Sequence, residues 1–398
     1  MDKPPTKKLR HAEKSRSSTC AFADSVAAAS MRAYEERIPV SWRVADGKQT
    51  CVACIVALRR ERFFVVGLGV GTKFPSRKLR DEDPGGVIRD CHAEVLARRS
   101  FKKHIALELL GDPSVPEDAH VINLETGRLR DDVSLHFYSS SSPCGNSVIR
   151  KWASARKEKF QSDLKEWGMP SREHPAFFAQ GLREGQCAAL VKSDAEGDDF
   201  TCGAKSAVPP GTKCVSSDRG TLLTCSDKIL LWNVLGLQGG ILRSMLTERI
   251  LLASITVGRK FCEPHCRRAF CCRAEGFKYT KKIKSLLGEE RTYALNHPSI
   301  MGTSLKLDKG AVDCASSFGK QATFRKDAWA WWPALHSAEH IDGSTGRILS
   351  TGAESQLSRR NMLRACGKDG TFKAEFINEN YAKVKKMIIG ELCKYKVL

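Results

Sequence analysis

Two apolar runs near the start of the chain predict a pair of buried β-strands. Residues 51–58 and 63–71 are rich in β-branched and apolar side chains, and residues 59–62 between them are charged. Apolar runs of this length that flank a short polar break are typical of a β-hairpin. Cys51 and Cys54 have the spacing of a redox pair, but their place in an apolar strand favours packing in the core.

Helical and extended patterns alternate in the segments that follow. Residues 95–110 show apolar positions at helical spacing, and residues 135–138 have the pattern of a short strand that four serines end. Pro143 follows these serines, and proline is favoured at the first position of a helix. Residues 229–252 form a largely apolar helical stretch, which two consecutive glycines interrupt. Because strands alternate with helices, we expect an α/β fold with a layered sheet.

Three polar segments flank or interrupt this pattern. Residues 1–20 are basic and lack periodicity, which predicts a disordered leader. Residues 187–220 are rich in Gly, Ser, Asp and Pro, which is typical of a long surface insertion. Residues 381–396 are basic and amphipathic. We therefore expect one folded domain over residues 21–398, with an insertion near its middle.

The composition argues against a membrane protein and against a secreted, disulfide-rich protein. The 398 residues are 41% hydrophobic, yet no run approaches the roughly 20 apolar residues of a membrane span. The N-terminal residues lack the apolar centre of a secretory signal. Sixteen cysteines at irregular spacings fit reduced thiols or metal ligands better than a disulfide framework. We expect an intracellular protein, in the cytoplasm or the nucleus.

The charge balance favours a polyanionic partner. Lys and Arg number 65 against 45 Asp and Glu, which gives a net charge of +20. Such a surplus binds nucleic acid by neutralising phosphates and releasing counterions. A generally basic protein without such a partner is the alternative. Three tryptophans, Trp329, Trp331 and Trp332, are expected in the core rather than as a platform for stacked bases.

Three short motifs, far apart in the chain, together predict a catalytic zinc site. They supply His92, Cys144 and Cys225. One imidazole and two thiolates bind zinc and leave a fourth position open for water, as in catalytic rather than structural sites. Glu94 lies two residues after His92, where a carboxylate can move a proton from an activated water to a leaving amine. This His-x-Glu and Pro-Cys pattern is typical of nucleobase deaminases.

The third ligand and the local setting of the site follow from the same motifs. Many deaminases take both thiolates from one Pro-Cys-x-x-Cys turn, but the second cysteine position here is Ser147, so Cys225 is the best candidate. His92 and Cys144 are expected where a helix begins after a strand, and a helix N-terminus favours the thiolate that zinc requires. Cys91 is expected to be a small packing residue.

A second group of cysteine and histidine residues follows the third motif. Its members are Cys262, His265, Cys266, Cys271 and Cys272. Their spacing does not match a common zinc finger, so a second, structural zinc is the weaker interpretation.

The motif over residues 224–239 is long and specific, and it resembles the deaminase domain shared by adenosine deaminases that act on RNA and on tRNA. Shorter motifs at residues 90–94, 142–145 and 344–346 match in the same order. The resemblance implies a cytidine-deaminase-like layered sheet with the zinc site at helix N-termini, enlarged into one editase-type domain. It also implies zinc bound by the three predicted ligands, Glu94 as the proton shuttle, and conversion of adenosine to inosine.

Within this family, the chain resembles the tRNA-specific branch, which deaminates adenosine 37 next to the anticodon. Enzymes that edit double-stranded RNA generally carry RNA-binding domains of about 70 residues, whereas the catalytic pattern here begins within about 50 residues of Met1. We therefore expect a tRNA substrate and a monomer without a protein partner. Editing of mRNA or double-stranded RNA is one alternative, and a non-catalytic, zinc-containing RNA-binding protein is another.

The resemblance also implies that the fold buries inositol hexakisphosphate. The matching positions are Lys73, Val95, Arg98, Arg99, Lys228, Trp232, Gln238, Tyr381 and Lys385. A buried ammonium such as that of Lys228 is costly unless it is paired, and arginine side chains fit phosphate oxygens well. Leu231 and Gly240 stand where related enzymes have polar phosphate contacts, and the chain ends at Leu398 without the tryptophan that closes the pocket in relatives.

Overall fold

The computed structural model describes residues 7–44, 50–148, 190–192, 212–214, 222–274, 293–307 and 325–394. The helices in these ranges are α1 (Lys7–Arg37), α2 (Val40–Val44), α3 (Arg77–Glu82), α4 (Ala93–Leu109), α5 (Cys225–Leu235), α6 (Gly239–Arg243), α7 (Glu263–Phe270), α8 (Arg359–Arg364) and α9 (Glu379–Lys394). The strands are β1 (Val52–Arg59), β2 (Arg62–Val70), β3 (Thr72–Lys73), β4 (Cys91–His92), β5 (Ile122–Asn123), β6 (Arg128–Leu129), β7 (Val133–Ser141), β8 (Leu190–Lys192), β9 (Thr212–Cys214), β10 (Ser254–Arg259), β11 (Ser299–Gly302), β12 (Asp327–Trp331), β13 (Glu339–Asp342) and β14 (Arg347–Ile348).

An eight-stranded mixed sheet forms the centre of the fold, in the order β11-β10-β7-β1-β2-β12-β13-β14. Strand β10 is parallel to β7 and β11, and the other neighbours are antiparallel. Arg59 pairs with Arg62, and the two residues between them, Arg60 and Glu61, have φ angles of 48° and 66°. Positive φ at both central residues is the geometry of a tight hairpin turn. The predicted hairpin and the α/β sheet are confirmed.

Helices cover both faces of the sheet, and β1 shows how the core is divided. Ile55 faces a core that it shares with side chains of α4 and α5. Cys54 faces a second core, which it shares with side chains of α1. Cys51 packs against the first core, so the two thiols lie on opposite faces of the sheet, as a spacing of three in a strand requires. The prediction that these cysteines pack in the core is confirmed.

The three clustered tryptophans also pack inside the fold. Trp329 and Trp331 belong to the same core as α1, and Trp332 belongs to a smaller cluster with Leu96 of α4. Each of the three is at most 8% exposed. The prediction of core positions, rather than a surface platform for bases, is confirmed.

The run of serines at the end of β7 differs from the prediction. The strand does not break there but continues to Ser141, because serine hydroxyls bond to the backbone of the sheet. Ser140 Oγ accepts the N–H of Val52 at 2.9 Å. Within the part of the chain that the structure describes, Pro143 begins no α-helix; a short 3₁₀ turn at Asn146–Val148 follows it.

Other boundaries agree with the sequence pattern to within a few residues. The apolar stretch at residues 229–252 is split into α5 and α6, although the break lies at residues 236–238, before the glycine pair.

Helix α1 extends through residues 7–20, where the composition predicts a disordered leader. The domain boundaries stay a prediction. Of the insertion near residues 187–220, the described residues include only β8 and β9, an antiparallel pair. No helix in the described ranges is long and apolar enough to cross a membrane.

Helix α4 lies directly on β2 because two glycines leave room for its backbone. A Cβ atom at Gly69 would lie 2.2 Å from the carbonyl oxygen of Ala93 and 2.4 Å from the amide nitrogen of Ala97. A Cβ atom at Gly67 would lie 2.5 Å from the carbonyl oxygen of Ala97. No side chain fits at these distances. The contact therefore fixes the height of α4, and with it the residues at its N-terminus, above the sheet.

Replacing Gly69 tests this contact. Gly69→Ala is expected to lower the free energy of unfolding by about 1–3 kcal/mol or more, since a methyl group in a packed contact forces the backbone to shift. Gly390→Ala in α9 is the control: no atom lies within 4 Å of its Cβ position, so we expect about 0.5–1 kcal/mol of stabilisation. Equilibrium unfolding in urea measures both. Equal stability of Gly69→Ala and the natural protein would contradict the packing described.

Candidate active site

The three predicted zinc ligands lie next to one another in the fold. His92 ends β4 and precedes α4, Cys144 follows β7, and Cys225 is the first residue of α5. The Nδ1 atom of His92 lies 3.8 Å from the Sγ atom of Cys144 and 3.6 Å from that of Cys225. All three ligand atoms lie within 4.8 Å of one another. Three separate segments therefore supply one compact set of ligands.

The spacing of these atoms fits a tetrahedral zinc ion. Bonds of about 2.3 Å to sulfur and about 2.0–2.1 Å to nitrogen place tetrahedral ligand atoms about 3.6–3.8 Å apart. The observed nitrogen–sulfur distances agree with this geometry. In addition, the backbone N–H of Cys225 donates to the Sγ atom of Cys144 at 3.4 Å, and such a bond favours the thiolate that zinc requires. The residues present therefore fit the metal.

The predicted proton shuttle lies beside the metal ligands. Glu94 is in the first turn of α4, two residues after His92, and is 3% exposed. Cys51 lies close enough to Glu94 for the charge of the carboxylate to affect the pKa of its thiol. Burial is the largest cause that raises this pKa to about 12, and the charges of Glu94 and Cys144 also raise it. Cys51 does not belong to the group of described side chains that meet at metal-binding distance. Cys91 is fully buried among apolar side chains, as predicted.

Asp90 connects the metal site to the cations behind it. Its Oδ1 atom accepts the backbone N–H of His92 at 3.1 Å, and its Oδ2 atom forms an ion pair with Lys228. The carboxylate is almost fully buried, and its charge partly opposes the burial that lowers the pKa of Arg99. Lys228, which precedes an apolar stretch of α5, therefore has the partner that a partly buried ammonium requires.

A buried polar network fixes the two segments that carry the cysteine ligands. Thr224 Oγ1 donates to Asp227 Oδ2 at 2.7 Å, and Asn146 Nδ2 donates to Asp227 Oδ1 at 3.3 Å. Arg268 of α7 donates to Asn146 Oδ1 at 3.1 Å. The loop that holds Cys144 is thus bonded to the N-terminus of α5, so protein contacts position both thiols.

A group of cations lies further along α4. Burial, with the charges of Arg98 and Arg99, lowers the pKa of Lys102 to about 7. Burial also lowers the pKa of Arg99 to about 10. Desolvation and the charges of Arg98 and Arg359 lower the pKa of Lys385 on α9. Positive charges from α4, α8 and α9 thus lie close together, those of α4 and α8 partly buried and Lys385 of α9 exposed, and a bound anion would stabilise this arrangement.

Trp232 and Tyr381, two further positions of the predicted inositol phosphate shell, contact Arg98. The Trp232 ring centroid lies 5.1 Å from its guanidinium carbon, and the Tyr381 hydroxyl hydrogen-bonds to it. Arg98 Nε donates to the carbonyl of Leu237 at 2.8 Å. Packing and hydrogen bonds therefore hold this guanidinium in one place.

The other predicted positions have different surroundings. Gln238 is fully buried and uses its amide on the backbone: it accepts the N–H of Ile250 at 3.0 Å and donates to the carbonyl of Leu235 at 2.8 Å. Lys73 lies in β3, which pairs with β4, and Val95 lies in the first turn of α4. Gln238 thus shapes the backbone between α5 and α6.

Two members of the cation group, Lys102 and Arg359, are absent from the sequence prediction. Lys102 lies four residues after Arg98 on the same helix, and side chains at this spacing share a face, so helical periodicity was a usable signal. A Cβ atom on Gly239, at the start of α6, would lie 3.3 Å from Lys102 Nζ, so α6 also borders this group. Arg359 comes from a distant segment, and no local pattern marked it.

The fold and the site together define a deaminase domain with a candidate zinc site: a layered α/β sheet, one histidine and two cysteines at metal-binding distance, and a glutamate in the first turn of the adjoining helix. More specifically, the chain belongs to the adenosine-deaminase (editase) domain family, which matches residues 67–388. The expected editase-type domain is confirmed.

Relatives of two kinds are similar to the chain. The double-stranded RNA-specific adenosine deaminase of Mus musculus is 29% identical over 336 residues, which are 81% of this chain and 26% of that protein. The tRNA-specific adenosine deaminase 1 of Drosophila melanogaster is 30% identical over 261 residues, 62% of this chain and 58% of that protein. Its Mus musculus counterpart is 28% identical over 287 residues, 53% of this chain and 57% of that protein. The chain spans less than two thirds of the length of each.

Removal of one ligand tests the metal site. His92→Ala is expected to lower the zinc content of the purified protein by one equivalent, because two thiols alone do not complete the site. His336→Ala, at an exposed histidine outside the site, is the matched control and is expected to keep the full content. Elemental analysis by mass spectrometry gives both values. A His92→Ala protein with unchanged zinc would contradict the ligand set.

Proposed function

We propose that this protein deaminates adenosine to inosine in tRNA, by hydrolysis, at position 37 next to the anticodon. The observation that carries the proposal is the convergence of His92, Cys144 and Cys225, with Glu94 beside them, in a chain of the editase family. The proposal includes residence inside the cell, where tRNA is found, and action as a monomer.

The chemistry follows from the types of residue present. Zinc held by the three ligands would lower the pKa of a water molecule, so that the water attacks near neutral pH. Glu94 takes a proton from the attacking water and delivers it to the amino group that leaves adenine C6 as ammonia. Because Glu94 is almost fully buried, its carboxylate is shielded from bulk water, which would otherwise compete for the proton. Asp90 and the Asn146–Asp227 pair keep the ligands in place.

Several observations support tRNA as the substrate. The net charge of +20 suits a polyanion, and an anticodon loop already presents unpaired bases, so less unstacking energy is needed to bring adenine to the site. Two of the relatives are named as tRNA-specific adenosine deaminases. Editing of mRNA or double-stranded RNA is the second candidate, because the alignment with the double-stranded RNA-specific enzyme covers more of this chain, 81%.

We also propose that the cation group binds inositol hexakisphosphate. The support is the charge distribution: the charges of Arg98, Arg99, Arg359 and Lys385 lower the pKa of neighbouring members of the group, and desolvation is the largest cause of the shift for all five residues, Lys102 included. A highly charged phosphate ester offers many acceptor oxygens to such donors. The anion is expected to copurify with the folded protein.

Because the pKa of Lys102 is lowered, the proposed anion binding can be tested by changing the pH. In the free protein the pKa of this ammonium is about 7, and a bound polyanion favours the charged form. Binding therefore takes up a proton, and affinity falls as pH rises from 7 to 9, by up to roughly 50-fold for one lysine that stays charged in the complex. Dialysis at pH 7 and pH 9, followed by mass spectrometry of the retained anion, measures this.

Lys102→Arg is the matched variant for the pH experiment. Arginine stays charged at pH 9, so the variant is expected to lose less of the anion between pH 7 and pH 9 than the natural protein does. Equal retention by the natural protein at pH 7 and pH 9 would contradict the role of Lys102. Absence of any inositol phosphate from an active preparation would contradict the anion site itself.

Deamination of tRNA is tested by replacing Glu94. Glu94→Gln is expected to keep zinc and fold but to lose at least about 100-fold in rate, since an amide cannot accept the proton. Glu248→Gln, at an exposed glutamate, is the control and is expected to keep full activity. Sequencing of total tRNA after incubation detects inosine as adenosine read as guanosine.

The outcomes of this experiment separate the candidate functions. Glu94-dependent conversion next to one anticodon supports the proposal and identifies the tRNA. Conversion of a plain RNA duplex, with none of tRNA, would favour the second candidate. Bound zinc without deamination of either RNA would indicate a non-catalytic RNA-binding protein.

A further inference from the structure

We propose that Cys271, Cys272 and His297 form a second zinc site outside the active site. Their three ligand atoms lie within 4.8 Å of one another. Among the described residues, this group and the catalytic group are the sets of three histidine, cysteine or carboxylate side chains that meet at metal-binding distance. Cys262, His265 and Cys266, the other members of the sequence cluster, belong to neither group.

The backbone at Cys271 is shaped so that both thiols point to the same place. Adjacent residues in a regular helix point about 100° apart, which keeps their side chains separate. Cys271, the C-cap residue directly after α7, has φ −148° and ψ −63°, outside the helical region, and Cys272 begins a 3₁₀ turn. The two Sγ atoms lie 3.5 Å apart. This is close to the separation of about 3.8 Å between two thiolates on one tetrahedral zinc.

A buried asparagine brings the third ligand to this pair. Asn233 Nδ2 donates to the carbonyl of Phe270 at 3.0 Å, directly before Cys271, and the Asn233 carbonyl accepts the N–H of Asn296 at 2.8 Å, directly before His297. Asn233 is 1% exposed. The two segments that carry the ligands are therefore bonded to one residue of α5, so the cluster rests on a fixed part of the fold.

The donor set points to zinc rather than to a hard cation. Thiolate and imidazole ligands bind zinc well, whereas magnesium and calcium prefer oxygen. Cys271 is buried, Cys272 is partly buried and His297 is exposed, so an ion can enter from the solvent side, with water as its fourth ligand.

This second site is linked to the first through α7 and α5. Helix α7, which the proposed ion holds at its C-terminal end, carries Arg268, and Arg268 donates to Asn146 near the catalytic Cys144. Helix α5 carries Cys225 at its first residue and Asn233 eight positions later, about 12 Å along the axis. An ion at Cys271, Cys272 and His297 would therefore fix the position of α7 relative to α5. Through the bonds of Arg268, it would also fix the position of the loop that carries Cys144.

Zinc stoichiometry of the full chain tests the proposal. The natural protein, purified without added metal, is expected to hold two equivalents of zinc. His297→Ala and Cys272→Ala are each expected to hold one, and His92→Ala is expected to retain the other. His336→Ala and Cys20→Ala, at an exposed histidine and an exposed cysteine, are the matched controls and are expected to keep two.

A spectroscopic readout protects the test against variants that misfold. His92→Ala loaded with one equivalent of cobalt is expected to show a thiolate-to-cobalt charge-transfer band, and the band is expected to disappear in the His92→Ala, His297→Ala double variant. Circular dichroism checks that each variant is folded. One equivalent of zinc in the natural protein, or two equivalents in folded His297→Ala, would overturn the proposal. A disulfide between Cys271 and Cys272 in protein purified with reductant would also overturn it.

Discussion

The direct contact between α4 and the central sheet is the constraint on which the site depends. Gly67 and Gly69 let the helix backbone touch β2, so the helix cannot rise or turn without breaking the packing. His92 and Glu94 stand at its N-terminus, and the cations that begin with Arg98 follow one turn later. One rigid element thus sets the positions of the predicted metal ligand and the predicted proton shuttle, and also the position of the positive group behind them.

The two sites on α4 have opposite electrostatic requirements. The thiolates need positive charge or hydrogen-bond donors nearby, whereas the crowded cations need a negative partner. Asp90 lies between them, bonded to the His92 backbone and paired with Lys228, so it orients a metal ligand and offsets part of the positive charge. Burial, followed by the charges of Arg98 and Arg99, lowers the pKa of Lys102, which supports the proposal that a polyanion binds there.

Much of this arrangement could be predicted from the sequence, because the motifs are local. The β-hairpin, α4 and the ligands His92, Cys144 and Cys225 each follow from a few adjacent residues whose chemistry or periodicity is specific. The continuation of β7 through its serines could not be predicted, since it depends on hydroxyl bonds to another strand. The proximity of His297 to two cysteines could not be predicted either. It depends on Asn233, which bonds to two distant segments, and the spacing of residues in the sequence does not reveal that contact.

Deamination of tRNA in water enriched in oxygen-18 tests the central claim most directly. The natural protein is incubated with total tRNA, the RNA is digested to nucleosides, and the molecular mass of the inosine is measured by mass spectrometry. Hydrolysis at the site of His92, Cys144, Cys225 and Glu94 predicts inosine that carries one heavy oxygen, derived from the attacking water. If zinc-loaded protein gives no inosine in tRNA or in duplex RNA, the assignment of this site as an adenosine deaminase is contradicted.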